Sequence, residues 1–474
     1  MGATRELGEF VADGRVDSPR AVEQTVRAFL DCAGVTLLGA DEASASAVRR
    51  MAMSQAAVPG PAAVLGRGGL RMGAIAAAEV NGTAAHALDY DDIGLRIGHP
   101  TAVVMSAALA VAEHVGGTGR DLVESMIVGY EVAHRFAALS PDNLAGPYAR
   151  GYHGTPVYGI FGAAAAAARL LRLDPDRVGH ALGIAASTSS GLRANFGTMT
   201  KPYHAGAAAA GGVRAAFLAS EGMTAAHDAL ERRYGWTDVI GGVWPEGGDR
   251  LTAGLGTRPP AIEGGLWFKA FPCCGANQYA IDGVVELMRR HGLDAADVAA
   301  VDVTVDAKYL DEVLVYPWPE SGLQAKFSLA YNVVAAVMDG AITPASYTDE
   351  AVERHGTARS LARTHGTRTG ARHDAVVVLT TADGRLLRSV TGDPGEESEE
   401  PVRRTLHGIE ADPLTWDELA AKFSANAETV MPPEAVADAL DALSTLADQP
   451  SLTAVTTLLQ PTAPAVDRPR ERVS

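Results

Sequence analysis

At 474 residues the chain is too long to fold around one ordinary hydrophobic core, so we expect two domains. Its 57 acidic residues outnumber its 40 lysines and arginines, and the formal net charge of -17 argues against a nucleic-acid partner. The apolar runs are shorter than the roughly 20 residues that a membrane span needs, and three cysteines cannot build a disulfide framework.

Residues 1–16 lack the apolar core of a signal sequence, so we expect a cytoplasmic protein without a membrane partner. Ser18 and Pro19 then predict the start of a helix, and apolar residues at helical spacing continue from there. Further helical patterns cover residues 72–80, 99–117, 119–139, 155–173, 174–191 and 204–222. Their many alanines and glycines allow close helix packing and predict a wide helical bundle.

The pattern changes after Gly292. Residues 298–310 and 372–392 alternate in polarity and are rich in valine and threonine, and Asp383-Gly384 between apolar runs predicts a hairpin. Helices are predicted at 327–340 and 348–366, and an acid-rich linker at 392–404 precedes two more helical patterns at 415–428 and 432–446.

The predicted fold is mainly α: a large all-helical domain interrupted by a smaller α+β lid domain. The predicted boundaries are 1–265 for the first part of the helical domain, 266–400 for the lid, 401–460 for the return to the helical domain, and 461–474 for a flexible tail. The sequence contains no internal repeat at a fixed period.

Four predicted helix starts carry a cation or an imidazole close to a proline: His99, His153, Lys201 and Lys269. Because Lys201 directly precedes Pro202, we expect it on an extended segment that leads into the next helix. Helix N-termini present unpaired N–H groups and the positive end of the dipole. If these four starts converge, they form an anion site for a small molecule with carboxylates.

Acidic residues accompany these cations. Asp89 and Asp92 would share one face of a helix, with His86 one turn earlier, and could orient a histidine or pair with the lysines. The spacing matches no metal motif, and three cysteines, two of them adjacent, do not match an iron–sulfur site. We therefore predict neither a metal nor another cofactor.

Other residues have a functional and a structural interpretation. Candidates for substrate binding are His86, Asp92, Arg150, Tyr152, Tyr203, His204 and Cys274. Arg150 and Arg193 could bind a further carboxylate or lie exposed, whereas Asp91 and Tyr152 could merely cap or pack. Cys273 and Cys274 at a helix start could have a lowered thiol pKa, but free cysteine is more often a small buried apolar residue.

Several motifs together resemble the MmgE/PrpD family: "NGTAAHALDYDD", "GHPTAVVMSAALAVAE", "YHGTPVYGIFGAAAAAARLLRLD", "GTMTKPYHAGAAAAGGVRAAFLASEGMT", "FKAFPCCGANQYAID" and "KFSLAYNVVAAVMDG". The resemblance implies a helical domain with an α+β lid, a homodimer and no redox cofactor. It also implies an active site lined by Asp89, His99, His153, Lys201 and Lys269.

Family members include 2-methylcitrate dehydratase, cis-aconitate decarboxylase and iminodisuccinate epimerase, and their reactions make or protonate a carbanion next to a carboxylate. In such chemistry Lys201 and Lys269 would stabilise the developing charge, His99 or His153 would transfer the proton, and Asp89 would orient a histidine or tune a lysine.

Two departures from the family pattern bear on the reaction. Cys273-Cys274 stands where the decarboxylase branch has a histidine after its "FP", and Gln278-Tyr279 stands where many relatives have a histidine before "AID". We therefore expect a cofactor-independent lyase of the 2-methylcitrate dehydratase type acting on a small di- or tricarboxylate. The alternatives are an iminodisuccinate-type epimerase, a cis-aconitate-type decarboxylase, or a carboxylate-binding protein without activity.

Overall fold

A computed structural model of the chain describes residues 2–16, 18–55, 59–94, 96–141, 145–256, 265–367, 375–391, 405–409 and 412–460. The predicted tail at 461–474 and the linker at 392–404 lie outside these residues. The described part is mainly helical with a small mixed sheet, so the predicted fold class is confirmed. The domain boundaries remain a prediction.

The first half consists of helices joined by short strands. Its elements are α1 (Ala3–Asp13), α2 (Pro19–Gly39), α3 (Ala43–Gln55), β1 (Ala62–Ala63), β2 (Arg71–Met72), α4 (Ala74–His86), β3 (Ile93–Gly94), α5 (Pro100–Val115), α6 (Gly119–Ala137), α7 (Gly154–Leu170), α8 (Pro175–Ala186), α9 (Thr200–Ser220), α10 (Trp236–Val239) and α11 (Gly247–Thr252). The Ser18 hydroxyl caps α2 and Pro19 is its first residue, as predicted.

The second half contains the sheet and the last helices. Its elements are β4 (Leu266–Trp267), α12 (Gly275–His291), β5 (Val298–Asp306), α13 (Ala307–Glu312), α14 (Gly322–Ala325), α15 (Leu329–Asp339), α16 (Asp349–Gly356), β6 (Ala362–Thr367), β7 (Ala375–Thr381), β8 (Leu386–Thr391), α17 (Trp416–Ala427), α18 (Pro433–Ser444) and α19 (Leu452–Leu458).

The buried residues of the described ranges form two hydrophobic clusters. The larger joins α1 to α9 with the returning helices α17 to α19. The smaller joins α12, α15 and the inner face of the four-stranded sheet. Strand β3 pairs with β4, so the segment that leads into the second cluster starts beside the loop after α4.

The four-stranded sheet has the order β6-β5-β7-β8, with β5 and β6 parallel and the other pairs antiparallel. The hairpin predicted at Asp383-Gly384 joins β7 to β8, and Gly384 has a φ of 89°. The helix predicted over 348–366 is wrong in its second half, because α16 ends at Gly356 and residues 362–367 pair with β5. Tertiary pairing overrides a local helical pattern there.

Glycine lets α4 and α9 cross closely. A Cβ at Gly206 in α9 would lie 2.2 Å from the backbone oxygen of Glu79 in α4, and a Cβ at Gly82 would lie 2.9 Å from the Cα of Gly206. No larger residue fits at this crossing without a backbone shift. The close approach brings the end of α4, at His86, next to the start of α9, at Lys201.

Candidate active site

The centre of the site is the carboxylate of Asp89, which is buried and held between two ammonium groups. Lys201 donates to its Oδ2 at 2.9 Å, and Lys269 donates to its Oδ1 at 2.5 Å and to its backbone oxygen at 2.6 Å. Burial acts to raise the pKa of Asp89, but the two lysines hold it well below the usual range. The structure thus brings together three of the predicted catalytic residues.

The backbone around Asp89 differs from the prediction. Helix α4 ends at His86, and Asp89 has a left-handed φ of 52°, so Asp89 and Asp92 do not share a helical face. The carboxylate of Asp92 instead accepts hydrogen bonds from the backbone and hydroxyl of Thr101. Burial raises the pKa of Asp92 to about 8. The expected pairing of Asp92 with a lysine is therefore wrong.

Lys201 lies inside a helix, in contrast to the extended segment that was expected. It is the second residue of α9, and Pro202 follows in the first turn, where a missing N–H leaves no intrahelical bond unmade. Its ammonium also donates to Nε2 of His86 at 2.9 Å. It lies 5.5 Å from the ring centre of Phe196 and 5.2 Å from that of Phe327.

Two of the four predicted residues lie directly at the N-cap of a helix. His99 is the N-cap residue of α5 and His153 is that of α7. Lys269 does not lie at a helix start, because α12 begins at Gly275 and Lys269 belongs to the segment between β4 and α12. The positive field of the site therefore comes from two buried ammonium groups together with the N-termini of α5, α7 and α9.

His86 connects Lys201 to a further acid. Its Nε2 accepts from the ammonium of Lys201, so its Nδ1 carries the proton and donates to Asp91 at 3.0 Å. Burial lowers the pKa of His86 to about 4, and the imidazole is neutral. For Asp91, burial acts to raise the pKa, but His86 and His99 hold it well below its usual range.

His99 presents an unprotonated nitrogen to the centre of the site. Its Nδ1 donates to the backbone oxygen of Asp92 at 3.0 Å and lies 3.4 Å from Oδ2 of Asp91. Its Nε2 lies 3.5 Å from Oδ1 of Asp89. Burial lowers its pKa. A neutral imidazole in this orientation can accept a proton at Nε2.

His153 completes the row of imidazoles. Its ring centre lies 6.0 Å from that of His86, and its Nδ1 lies 3.1 Å from Nδ1 of His204. Burial lowers the pKa of His153 well below its usual value and that of His204 to about 4. Since one Nδ1 must donate and the other accept, the two rings hold opposite tautomers.

Sequence reasoning underrated Asp91, which was given only a capping or packing role. The structure shows it contacting two imidazoles, whereas the favoured Asp92 faces away toward Thr101. The run "DYDD" does contain the signal, because three acids within four residues near two histidines predict a histidine-orienting carboxylate. It does not show which acid faces the site.

Four of these residues form a set with possible metal-ligand geometry. One ligand atom from each lies within 4.8 Å of all the others: His86, Asp89, Asp91 and His99. Both oxygens of Asp89 already accept from ammonium groups, and both nitrogens of His86 are hydrogen-bonded. A divalent cation here would face two ammonium charges at close range, so the donor set does not fit a metal.

The remaining candidates lie at the edge of this cluster or outside it. The guanidinium of Arg150 donates to the backbone oxygen of Ile240, and exposed Tyr203 donates to Glu79. Arg193 bonds to Tyr148 and Glu312, and Tyr152 packs partly buried against the larger hydrophobic cluster. The structure does not bring these four groups to Asp89.

The two cysteines lie in the segment between Lys269 and α12, and Gln278 lies near the start of α12 itself. Cys274 is the N-cap residue of α12, and burial raises the pKa of its thiol to about 11, with Asp89 nearby adding to this. The backbone N–H of Ala276 at the helix start acts to lower the thiol pKa, but the effect of burial is larger. The side-chain oxygen of Gln278 accepts from the backbone N–H of Phe271, and its side-chain N–H donates to the backbone oxygen of Phe271. These two bonds hold the segment before α12 against the helix.

The cluster is suited to a small polyanion. Two lysines meet the ionised carboxylate of Asp89 at its centre, and the neutral imidazoles around them can donate or accept protons. The second ionised carboxylate, that of Asp91, contacts His86 and His99 and makes no hydrogen bond or ion pair to these two lysines. An open depression in the second half, lined by Trp318, Glu320, Asp349, Glu350 and Glu353, is acidic and would repel such a ligand. Within the described ranges, none of the helices combines the length and apolar character that a bilayer crossing requires.

Comparisons with known proteins find curated relatives that cover most or about half of the chain. The chain is 28% identical over 423 residues to the cis-aconitate decarboxylase of Mus musculus, covering 84% of this chain and 80% of that protein. It is 26% identical over 475 residues to the cis-aconitate decarboxylase of Homo sapiens, covering 94% and 91%. It is 31% identical over 246 residues to the cis-aconitate decarboxylase of Aspergillus terreus, covering 49% of each chain.

Models of two protein-family domains also match. The MmgE/PrpD N-terminal domain matches residues 5–245, and the MmgE/PrpD C-terminal domain matches residues 271–447. The two matches together contain most of the larger hydrophobic cluster and all of the smaller one. The chain belongs to the MmgE/PrpD family.

Proposed function

We propose that this protein is a lyase that decarboxylates a small tricarboxylate of the cis-aconitate type without a metal or redox cofactor. The observation that carries the proposal is the buried carboxylate of Asp89 between Lys201 and Lys269, with His99 beside it and His153 on the other side of His86. The names of the relatives favour decarboxylation over the dehydration expected from the sequence.

The reaction needs a cation beside the carboxylate on which negative charge develops, and a proton donor beside the carbon that becomes protonated. When the bond to the departing carboxylate breaks, its electron pair moves through the neighbouring double bond to a carbon next to another carboxylate. That carbon takes up one proton and carbon dioxide leaves. Lys201 and Lys269 stabilise the enolate-like charge on the remaining carboxylate, an effect of about 3 kcal/mol per donor in other enzymes.

The proton comes from an imidazole that the substrate itself charges. His99 and His153 have lowered pKa values because they are buried, and both are neutral before substrate arrives. A tricarboxylate brings negative charge next to these rings, which raises their pKa again and favours proton uptake. The substrate thereby recruits the acid for its own protonation, which contributes about 100-fold or more in rate.

A second lyase reaction is also supported by one observation. Cys274 carries a thiol whose pKa burial raises to about 11, so it neither gives nor takes a proton readily at neutral pH. In the decarboxylase branch that the sequence resembles, a histidine stands near this place. Dehydration of a 2-methylcitrate-type hydroxy acid is therefore the second candidate, since the same lysines and histidines serve it.

The homodimer is proposed on the family resemblance alone, and the cytoplasmic location on the three cysteines, which are too few for a disulfide framework. We infer a homodimer in the cytoplasm that binds a small polycarboxylate. Light scattering on a size-exclusion column tests the first point, and a monomer would contradict it.

The test of the proposed reaction follows candidate acids by NMR in heavy water. Purified protein with cis-aconitate should release carbon dioxide and give a product with one solvent deuteron next to a carboxylate. Loss of water from 2-methylcitrate instead would favour the second candidate. Deuterium in recovered substrate without either loss would show an epimerase.

Two lysine variants show whether the measured turnover belongs to this protein or to a contaminating enzyme. Lys201→Met should lower turnover by about 1,000-fold or more, because a transition-state contact is lost. Lys308→Met changes an exposed lysine of α13 and should leave it unchanged. Binding of polycarboxylates without any turnover would support a non-catalytic protein and overturn the proposal.

A further inference from the structure

Lysine is rare in this chain, and its placement is uneven. Only five of the 40 lysines and arginines are lysines: Lys201, Lys269, Lys308, Lys326 and Lys422. All except Lys308 are largely buried, and their ammonium groups converge on the turn that carries Asp89. Lys201 and Lys269 belong to the proposed reaction. Lys326 and Lys422 are not explained by it.

Lys326 joins the two sides of the site from the second hydrophobic cluster. It lies between α14 and α15 and is buried. Its ammonium donates to the backbone oxygens of Leu88 and Pro272, each at 2.8 Å, and lies 4.2 Å from the ring centre of Tyr347. One bond therefore reaches the turn after α4, and the other reaches the segment that carries Lys269.

Lys422 makes the same connection from the opposite end of the chain. It lies in α17, and its ammonium donates to the backbone oxygens of Tyr90 at 3.0 Å and Lys269 at 2.9 Å. It also pairs with buried Asp31 at 2.7 Å and lies 3.8 Å from the ring centre of Tyr90. Lys422 thus also bridges the turn and the Lys269 segment.

Lys326 and Lys422, together with the four backbone oxygens that accept their hydrogen bonds, are called the lysine brace below. The backbone oxygens of residues 88, 89 and 90 each accept from a different lysine: Lys326, Lys269 and Lys422. The hydroxyl of Tyr90 adds a bond to the backbone oxygen of Ala270 at 3.2 Å. Residues 88–90 and 269–272 are therefore fixed to each other at successive positions.

The hydrogen bonds that hold residues 88–90 matter for the backbone of Asp89, which has a φ of 52°. A left-handed conformation at a residue other than glycine is unfavourable and persists only where the surroundings enforce it. Neutral donors would satisfy backbone oxygens without the desolvation that a buried ammonium requires. Burial lowers the pKa of both brace lysines, that of Lys326 to about 8, so holding these cations is unfavourable and needs a functional reason.

We propose that Lys326 and Lys422 are positioning residues that fix the strained Asp89 turn against the Lys269 segment and so set the distance between the carboxylate and the two lysines that contact it. The inference rests on the proposed function in one respect: it assumes that the carboxylate of Asp89 and the ammonium groups of Lys201 and Lys269 form the reacting site. A displacement of about 1 Å in such a site lowers rates by about 100-fold.

The first test compares three methionine variants, which keep an unbranched side chain one atom shorter than lysine and remove its charge. Lys326→Met and Lys422→Met should lower kcat by about 10- to 100-fold with KM changed less than about threefold, the effect of losing a residue that orients a reacting group. Lys308→Met is the matched control and should match wild type. A loss of kcat that merely follows the folded fraction in a thermal melt would overturn the proposal.

The second test does not depend on any substrate. Protein labelled with 13C at the lysine Cε gives one signal for each of the five lysines, and single substitutions assign them. Lys326→Met and Lys422→Met should shift the signals of Lys201 and Lys269, whereas Lys308→Met should not. Unshifted Lys201 and Lys269 signals in both brace variants would overturn the positioning role.

The two tests separate the brace from the reaction. If wild-type protein leaves cis-aconitate and 2-methylcitrate unchanged, the proposed function fails while the lysine spectrum still decides the brace. If a methionine variant yields no folded protein, the leucine variant at the same position, which also lacks a donor for the carbonyls, is judged by the same shifts.

Discussion

Two neighbouring aspartates should respond to the same substitution in opposite directions. Asp89→Asn removes the charge that two buried ammonium groups share, at 2.9 and 2.5 Å. The amide oxygen can accept from one lysine, while its N–H group would face the other. Breaking a buried ion pair by removing one partner destabilises a protein by about 3 to 5 kcal/mol, and we expect that loss in the free energy of unfolding.

The pH dependence of this loss has a defined sign. Lys201 and Lys269 hold the pKa of Asp89 well below its unfolded value, against the effect of burial. Its stabilising contribution is therefore complete above about pH 4 and disappears as the pH falls through the folded pKa. Urea denaturation should show a constant difference between wild type and Asp89→Asn from pH 5 to 8, and a shrinking difference below pH 4.

Asp92→Asn is the matched control. Burial raises the pKa of Asp92 to about 8, so the folded protein holds it protonated at pH 7, whereas the unfolded chain ionises it. Asparagine resembles the protonated acid and keeps an acceptor for Thr101. The substitution should leave the free energy of unfolding unchanged or raise it, increasingly so as the pH rises from 4 towards 8. Equal destabilisation by both substitutions would refute the assigned charge states.

Two further predictions concern the frame around the site. Gly206→Ala places a Cβ 2.2 Å from the backbone oxygen of Glu79. In urea denaturation it should lower the free energy of unfolding by about 2 kcal/mol or more. Turnover should also be lost, because α4 and α9 move apart. Gly356→Ala meets no atom within 4 Å and should leave both unchanged; a similar loss there would argue against the close crossing. Because burial lowers the pKa of His86 to about 4 from 6.5, its contribution is complete above pH 6.5 and is lost as the pH falls towards 4. His86→Gln should remove up to about 3 kcal/mol of that acid sensitivity, and an unchanged pH profile of unfolding would contradict a neutral His86.

The sequence predicts the helical architecture well because its signals are local. Ser18-Pro19 caps α2, and Asp383-Gly384 forms the hairpin between β7 and β8, since each rests on the conformational preference of one or two residues. The strand at 362–367 was missed because nothing local distinguishes it from the end of a helix. Its pairing with β5 is a contact between segments about 60 residues apart.

The site shows the same limit. The sequence predicts that Asp89, His99, Lys201 and Lys269 meet, partly through proline positions and partly through family motifs. It does not predict that α4 stops at His86, which turns Asp91 rather than Asp92 toward the histidines. Nor does it single out Lys326 and Lys422, although a count of lysines against arginines would have marked both.

The position of Lys422 has a consequence for how the enzyme is made. Its bonds to Tyr90 and Lys269 come from α17, more than 300 residues after the turn that they hold. A nascent chain on the ribosome can assemble the helices before it and even bring Lys201 to Asp89. The turn then receives its last support only when the final stretch of polypeptide has been translated and has folded back, so we expect an unfinished chain to hold the turn less firmly than the complete one.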